Sequence, residues 1–213
     1  MKTTITIVRH GYSEANDLDI FAGNFDAKLT KTGEEQAEAT ALFLKDFPID
    51  VIYSSDLSRA YSTALHISKV KNIPVIKNSK LREIDAGDWD GLTFSEIDKI
   101  DRENFRIWIE DFKNAVCTGG ESVRDCGKRI ISAVDEIIKE NEGKSILIVS
   151  HATSIRLLTA HWYNIDLEDI DKIYYVSNAS VSRAEYENNS YKVTMFDYND
   201  HMGSIVTKLP EGL

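Results

Sequence analysis

The sequence predicts an α/β fold: a three-layer sandwich built on a mostly parallel sheet, with helices on both faces and a small helical lid insertion. Three observations carry this expectation. Short β-branched runs alternate with amphipathic helical stretches from the first residues onward. The run Ser145-Ile146-Leu147-Ile148-Val149-Ser150 is apolar almost throughout, as befits a central parallel strand covered on both faces. Between Leu81 and Gly120 the periodicity loosens into mixed aromatic and acidic residues, which fits a lid over a cleft. The 213 residues can bury a substantial core, and no repeat or Pro/Gly-rich linker divides them. One domain spanning 1–213 is expected, with the lid over about 84–120.

Each element has its own justification. Thr4-Ile5-Thr6-Ile7-Val8 is rich in residues that favour a pleated backbone and predicts a first strand over about 3–9. A helix begins near Thr32, where Thr32-Gly33-Glu34-Glu35 has the form of a capping box, and ends before Pro48. Residues 49–54 read as a second strand. Ser55 or Asp56 then caps a helix carrying Arg59, Ala60, Thr63, Ala64 and Ile67. Residues 73–76 form a short third strand, which Pro74 places near an edge. Beyond the lid, Glu121 or Ser122 starts a long helix with Val123, Cys126, Ile130, Val134 and Ile137 on one face, ending near Gly143. The apolar strand over 145–150 leads into a short helix with Ile155, Leu158 and Trp162 on one face. Residues 173–177, 181–186 and 191–196 read as strands, with a tight turn at Asn188-Asn189.

Composition narrows the partners. A net charge of −10 argues against nucleic acid and anionic membranes, which need a broad basic field, but leaves room for a small anion in a local Arg/His pocket. No run approaches the roughly 20 apolar residues of a membrane span, and the start lacks a signal-peptide pattern, so a cytoplasmic setting is expected. Cys117 and Cys126 have no second pair to complete a zinc or redox motif, and read as buried reduced thiols. Self-association into a homo-oligomer is compatible with all of this.

The chemistry gathers where two strands end in histidine, Val8-Arg9-His10 and Val149-Ser150-His151. If those strands are parallel neighbours, the imidazoles meet at the carboxyl edge of the sheet, where open α/β sheets place ligands. Zinc would need a third ligand, and His66, His161 and His201 offer no ligand spacing, so no metal is expected. Phosphoryl chemistry fits better. One neutral imidazole attacks phosphorus while the other, with arginines, neutralises the phosphoryl oxygens. Arg9 adjoins one histidine, and Arg59 lies in the first turn of a helix, where an anion is favoured. A leaving alkoxide needs a proton, and Glu83 is the candidate donor, with Asp85 and Asp88 close by in sequence.

These residues sit within Arg9-His10-Gly11-Tyr12-Ser13-Glu14-Ala15-Asn16, Leu29-Thr30-Lys31-Thr32-Gly33-Glu34-Glu35-Gln36-Ala37, Ser54-Ser55-Asp56-Leu57-Ser58-Arg59-Ala60, Leu81-Arg82-Glu83, Gly87-Asp88-Trp89-Asp90-Gly91, Gly119-Gly120-Glu121-Ser122 and Ser150-His151. In this order and spacing the chain resembles the histidine phosphatase superfamily, the group that includes cofactor-dependent phosphoglycerate mutases. The resemblance implies a phosphohistidine mechanism without metal or cofactor. His10 would be the nucleophile, and Arg9, Asn16, Arg59 and His151 would hold the phosphoryl group. Glu83 would be the acid and then the base. Tyr12, Ser13, Ala22 and Gly23 would line the substrate side, and the Ala152 amide could bind phosphate.

Some positions depart from the common pattern. Tyr12 stands where relatives carry Glu, Gln or Thr, and Ala152-Thr153 replaces Gly-Gly. Mutases share a Trp at the position of Ala15 and an Arg- and Pro-rich lid, whereas residues 92–118 hold two arginines, Arg102 and Arg106, and no proline. The expected activity is therefore a metal-independent phosphomonoesterase, a histidine acid-type phosphatase acting on a small phosphorylated metabolite, with Trp89, Phe94, Phe105 and Trp108 as candidates for setting leaving-group preference. The alternatives are a cofactor-dependent phosphoglycerate mutase and a non-catalytic phosphate-ligand binding protein.

Overall fold

In the computed structural model, which describes residues 1–207, the chain opens with strand β1, Thr3–Arg9, buried along its whole length. There follow α1 (Glu14–Asp17), α2 (Lys31–Phe43), β2 (Val51–Ser54), α3 (Ser58–Lys71) and the short β3 (Val75–Lys77). The lid contributes α4 (Phe94–Ile100) and α5 (Arg102–Glu110), after which come α6 (Val123–Glu140), β4 (Ser145–Ser150) and α7 (Ala152–Trp162). A hairpin of β5 (Val181–Glu187) and β6 (Ser190–Tyr198) completes a six-stranded sheet in the order β3-β2-β4-β1-β5-β6. The first four strands in that order are parallel, and β5 and β6 extend the sheet antiparallel. Strands β1 and β4 are hydrogen-bonded neighbours in register, Arg9 opposite Ser150, so both lead out at the same edge.

Alternation along the strands builds two cores. Ile5, Ile7, Ile146 and Ile148 face α6, α7 and the lid, while Val8, Leu147 and Val149 face α2 and α3. Cys117 and Cys126 are buried free thiols in the first of these cores. No helix of the described residues is long and apolar enough to cross a membrane.

The helix starts differ from the sequence reading in instructive ways. Thr30, not Thr32, caps α2 by accepting from the Gly33 N–H, so no capping box forms because the third helical position is a glycine. For α3 neither Ser55 nor Asp56 is the cap. The Asp26 carboxylate, 32 residues away, accepts from the Ser58 N–H and hydroxyl, while Asp56 binds Arg82. Of the two candidate starts of α6, Ser122 is the cap, and the helix ends at Asn141 rather than at Gly143, whose positive φ lies in the turn beyond. The second strand starts at Val51, two residues later than expected. Residues 173–177 are not a strand, because side chains take their backbone groups: Arg156 Nε donates to the Ile173 carbonyl, Arg9 Nη1 to the Val176 carbonyl, and the Ser177 N–H donates to Asp197. The hairpin turn at Asn188-Asn189 has positive φ at both residues, as a type I′ turn requires. The expected domain continues to residue 213, and residues 208–213 lie outside the described residues.

Two backbone-to-backbone contacts anchor the loops that carry the chemistry. The start of α2 presses against the chain just after His10, where any Cβ on Gly33 would overlap the Tyr12 carbonyl. At the base of the lid, Gly87 has φ +54° and its missing Cβ is occupied by the backbone of residues 118–120. Gly87→Ala therefore meets both a left-handed backbone and a clash, and should lower unfolding free energy by at least about 2 kcal/mol, read from urea denaturation. A loss below about 0.5 kcal/mol would show that this junction does not anchor the lid.

Candidate active site

Strand β1 ends at Arg9, and His10 and Gly11 follow at the carboxyl edge of the sheet. β4 leads into His151, the residue before α7, and the two imidazole centroids lie 5.1 Å apart. A cavity of about 100 Å³ opens at this edge. Of the sequence candidates, Arg9, His10, Ser13, Asn16, Ala22, Arg59, Glu83 and Ala152 line it. His151 is fully buried behind His10 and is not part of the lining, and Tyr12 and Gly23 also stand outside it. Tyr12 instead serves through its backbone, which bonds Gln36 and Thr30, and Gly23 offers its carbonyl to Arg59.

Hydrogen bonds fix each group's orientation. His10 Nδ1 lies 2.8 Å from the Gly11 carbonyl oxygen. A carbonyl only accepts, so Nδ1 carries the proton and Nε2 keeps its lone pair. Arg59 is 1% exposed and donates to the carbonyls of Ala22, Gly23 and Phe25 at 2.6 to 2.9 Å. Arg9 Nη1 donates to Val176 at 2.6 Å, while its buried Nε has no partner among the described residues. Among the described residues neither arginine is neutralised by a carboxylate in direct contact, which leaves an anion as the natural counterpart. Asn16 Oδ1 accepts from the Ser13 N–H and hydroxyl and from Asn178 Nδ2, which turns its own NH2 group to the other side. Glu83 accepts from the backbone N–H groups of Ile84, Thr153 and Ser154, the last two in the first turn of α7. Asp85 and Asp88 do not line the cavity.

Burial, then the charges of Arg59 and Arg9, hold His10 well below the usual histidine range, and burial followed by Arg59 does the same for His151. Burial lowers both Arg9 and Arg59 to about 10, leaving them charged at neutral pH. The histidine shifts have a consequence for stability. Because the folded values lie below the unfolded value near 6.5, the unfolded chain takes up these protons first as pH falls. Stability is full above about pH 7 and should fall below 6.5 by up to about 1.4 kcal/mol per pH unit for each histidine. Urea denaturation from pH 7.5 to 5.5 checks this. His10→Gln should make the decline shallower, and an unchanged slope would contradict the assignment.

Several site residues escaped the sequence reading. Asn178 donates to the His10 carbonyl as well as to Asn16. Ser55 lies 2.8 Å from His151 Nε2 through its hydroxyl. Arg129 on α6 donates to the carbonyls of Lys80, Arg82 and Glu83 and pairs with Glu121, fixing the segment that carries Glu83. Each of these bonds joins groups from elements far apart along the chain, which leaves no pattern in sequence. Phe94 and Trp108 line the cavity with Asp19, Ile20, Phe21 and Tyr175, whereas Trp89 and Phe105 pack behind them. Among the described residues no three His, Cys, Asp or Glu side chains are grouped as a metal site would require.

Comparison with known proteins places the chain in a family. The family model described as the histidine phosphatase superfamily (branch 1) matches residues 5–199. Phosphoserine phosphatase 1 of Hydrogenobacter thermophilus is 32% identical over 199 residues, covering 93% of this chain and 94% of that protein. A 2,3-bisphosphoglycerate-dependent phosphoglycerate mutase of Cytophaga hutchinsonii is 34% identical over 180 residues, 82% of this chain and 84% of its own. Among solved structures, Bacillus stearothermophilus YhfR superposes with a TM-score of 0.89 at 28% identity, over 94% of this chain and 99% of that one.

Proposed function

Because this chain belongs to the histidine phosphatase superfamily, branch 1, we propose that it is a phosphomonoesterase that carries the phosphoryl group of a small substrate on His10. The observation behind this reading is the orientation of one ring. With its Nδ1 proton held by Gly11, the neutral His10 imidazole presents its Nε2 lone pair in a cavity that Arg9, Arg59, Asn16 and Glu83 also line.

In the first step Nε2 attacks phosphorus and the bond from phosphorus to the ester oxygen breaks. The Glu83 carboxyl gives its proton to the departing oxygen. Arg9, Arg59 and the Asn16 NH2 group hold the phosphoryl oxygens, and the Gly11 carbonyl stabilises the positive charge that the ring acquires. In the second step water attacks phosphorus and gives a proton to Glu83. The N–P bond breaks, inorganic phosphate leaves, and the neutral imidazole and the carboxyl are restored.

Mutase activity, named for the Cytophaga hutchinsonii relative, is the second reading. It calls for cations that hold a second phosphate on the lid side. The two lid arginines instead pair with carboxylates, Arg102 with Asp98 and Arg106 with Glu110, and neither lines the cavity. This favours hydrolysis. The test is a rapid quench with an ester labelled in its phosphoryl group, without any bisphosphorylated cofactor. Stoichiometric inorganic phosphate and acid-labile label on the protein are expected. Dependence on a bisphosphorylated cofactor with little net phosphate release would establish the mutase.

A further inference from the structure

The cavity has two unlike poles. Arg9, His10 and Arg59 are buried at its inner end. Ile20, Phe21, Phe94, Trp108 and Tyr175 give the lining a broad apolar face beside the polar Ser13, Asn16, Glu83 and Thr153, and among the described residues the one exposed charged residue of the lining is Asp19. Among the described residues no lysine lines the cavity, nor any arginine besides Arg9 and Arg59. The neighbouring cations are engaged elsewhere. Arg82 forms a bidentate pair with Asp56, both contacts at 2.7 Å. Arg156 donates to the Ile173 carbonyl and stacks over the rings of Phe112 and Tyr175.

Asp19 is held in place rather than trailing at the surface. Its φ is +51°, a left-handed conformation that Asp tolerates better than most residues. Its carbonyl accepts from the Phe94 N–H at the start of α4, and the next residue, Ile20, forms a β-bridge with Thr93. The rim carboxylate and the aromatic lid wall are thus parts of one backbone junction.

Building on the phosphatase reading, we infer that this cavity chooses its substrate by the charge of the alcohol released, with Asp19 as the specificity-determining residue. Esters of apolar alcohols that are neutral or carry an ammonium group are accepted, and esters whose alcohol carries a carboxylate are rejected. A carboxylate in this half of the cavity would lose hydration, find no cation, and meet the like charge of Asp19. An ammonium would find a counter-ion and aromatic faces. Selectivity here comes as much from repulsion as from attraction.

Three aryl esters with leaving phenols of similar acidity test this: phenyl phosphate, 4-carboxyphenyl phosphate and 4-(aminomethyl)phenyl phosphate. The expected order of kcat/KM is ammonium, neutral, carboxylate, with about tenfold or more between the ends. Asp19→Asn and Asp19→Gly both suit a positive φ, and each should lower the ammonium-to-carboxylate ratio at least about fivefold. Affinities of the same esters for His10→Ala, measured by calorimetry, give the charge preference without turnover. If the wild type fails to hydrolyse phenyl phosphate, the phosphatase reading falls while the affinity ratio still judges the charge rule. Equal or better use of the carboxylate ester, or a ratio unmoved in both Asp19 variants, overturns the inference.

Discussion

Replacing His10 with alanine should lower kcat/KM by at least about 10⁴-fold and abolish the acid-labile phosphoryl label. The size of this effect follows from the division of labour at the site. In the proposed mechanism Arg9, Arg59 and Asn16 hold the phosphoryl group without help from His10, whereas among the described residues lining the cavity only His10 offers a neutral nitrogen lone pair with its other nitrogen already bonded. Binding should therefore survive, with affinity for inorganic phosphate within about tenfold of the wild type. The fold should survive too, because the ring is held by one local carbonyl and alanine removes a group whose protonation opposes folding. Rapid quench and steady-state kinetics read the two quantities separately. Label that persists in His10→Ala would remove His10 from the nucleophile's role.

Glu83→Gln should produce the second large effect, and its form is as telling as its size. With an alkyl ester, whose leaving oxygen needs a proton, kcat should fall about 10²- to 10⁴-fold. With 4-nitrophenyl phosphate the phenolate leaves unaided, so phosphorylation proceeds and dephosphorylation stalls for want of a base. The expected result is a burst of one nitrophenol per active site, followed by slow turnover. Glutamine keeps one acceptor oxygen but sets an NH2 group against a backbone N–H near Thr153 or Ser154, so a thermal melt should accompany the kinetics. Equal losses for both esters with no burst would assign the proton transfers to another group.

The pattern of these residues in sequence reveals the two strand-end histidines more readily than their surroundings. A β-branched strand running into Arg9-His10 and an apolar strand running into His151 are local signals. Once the strands are recognised as parallel, their convergence follows from topology alone. Asp26 capping α3, Asn178 orienting Asn16 and Arg129 gripping the Glu83 segment each join groups between 32 and 162 residues apart. Such bonds satisfy backbone groups that the local sequence leaves open, and nothing in spacing records which distant side chain will do so. The absence of a strand over 173–177 has the same origin: its composition favours extension, but its carbonyls are taken by Arg9 and Arg156 instead of a neighbouring strand.

Sequence by itself determined the alternating order of strands and helices, the lid between the third strand and the long helix, and the candidates Arg9, His10, Arg59 and Glu83 that the fold brings to one cavity. These follow from periodicity, caps and side-chain chemistry, all of which are local. Tertiary structure decided which way each group faces. It aligned β1 beside β4, turned the proton of His10 toward Gly11, placed Glu83 rather than Asp85 or Asp88 at the cavity, and left Tyr12 outside it. It also gathered Asp19, Phe94 and Trp108 from separate segments around one cavity. The physical reason is that a reaction needs lone pairs and protons aimed within hydrogen-bonding distance of one another, and that aim is set by buried backbone groups finding partners far along the chain.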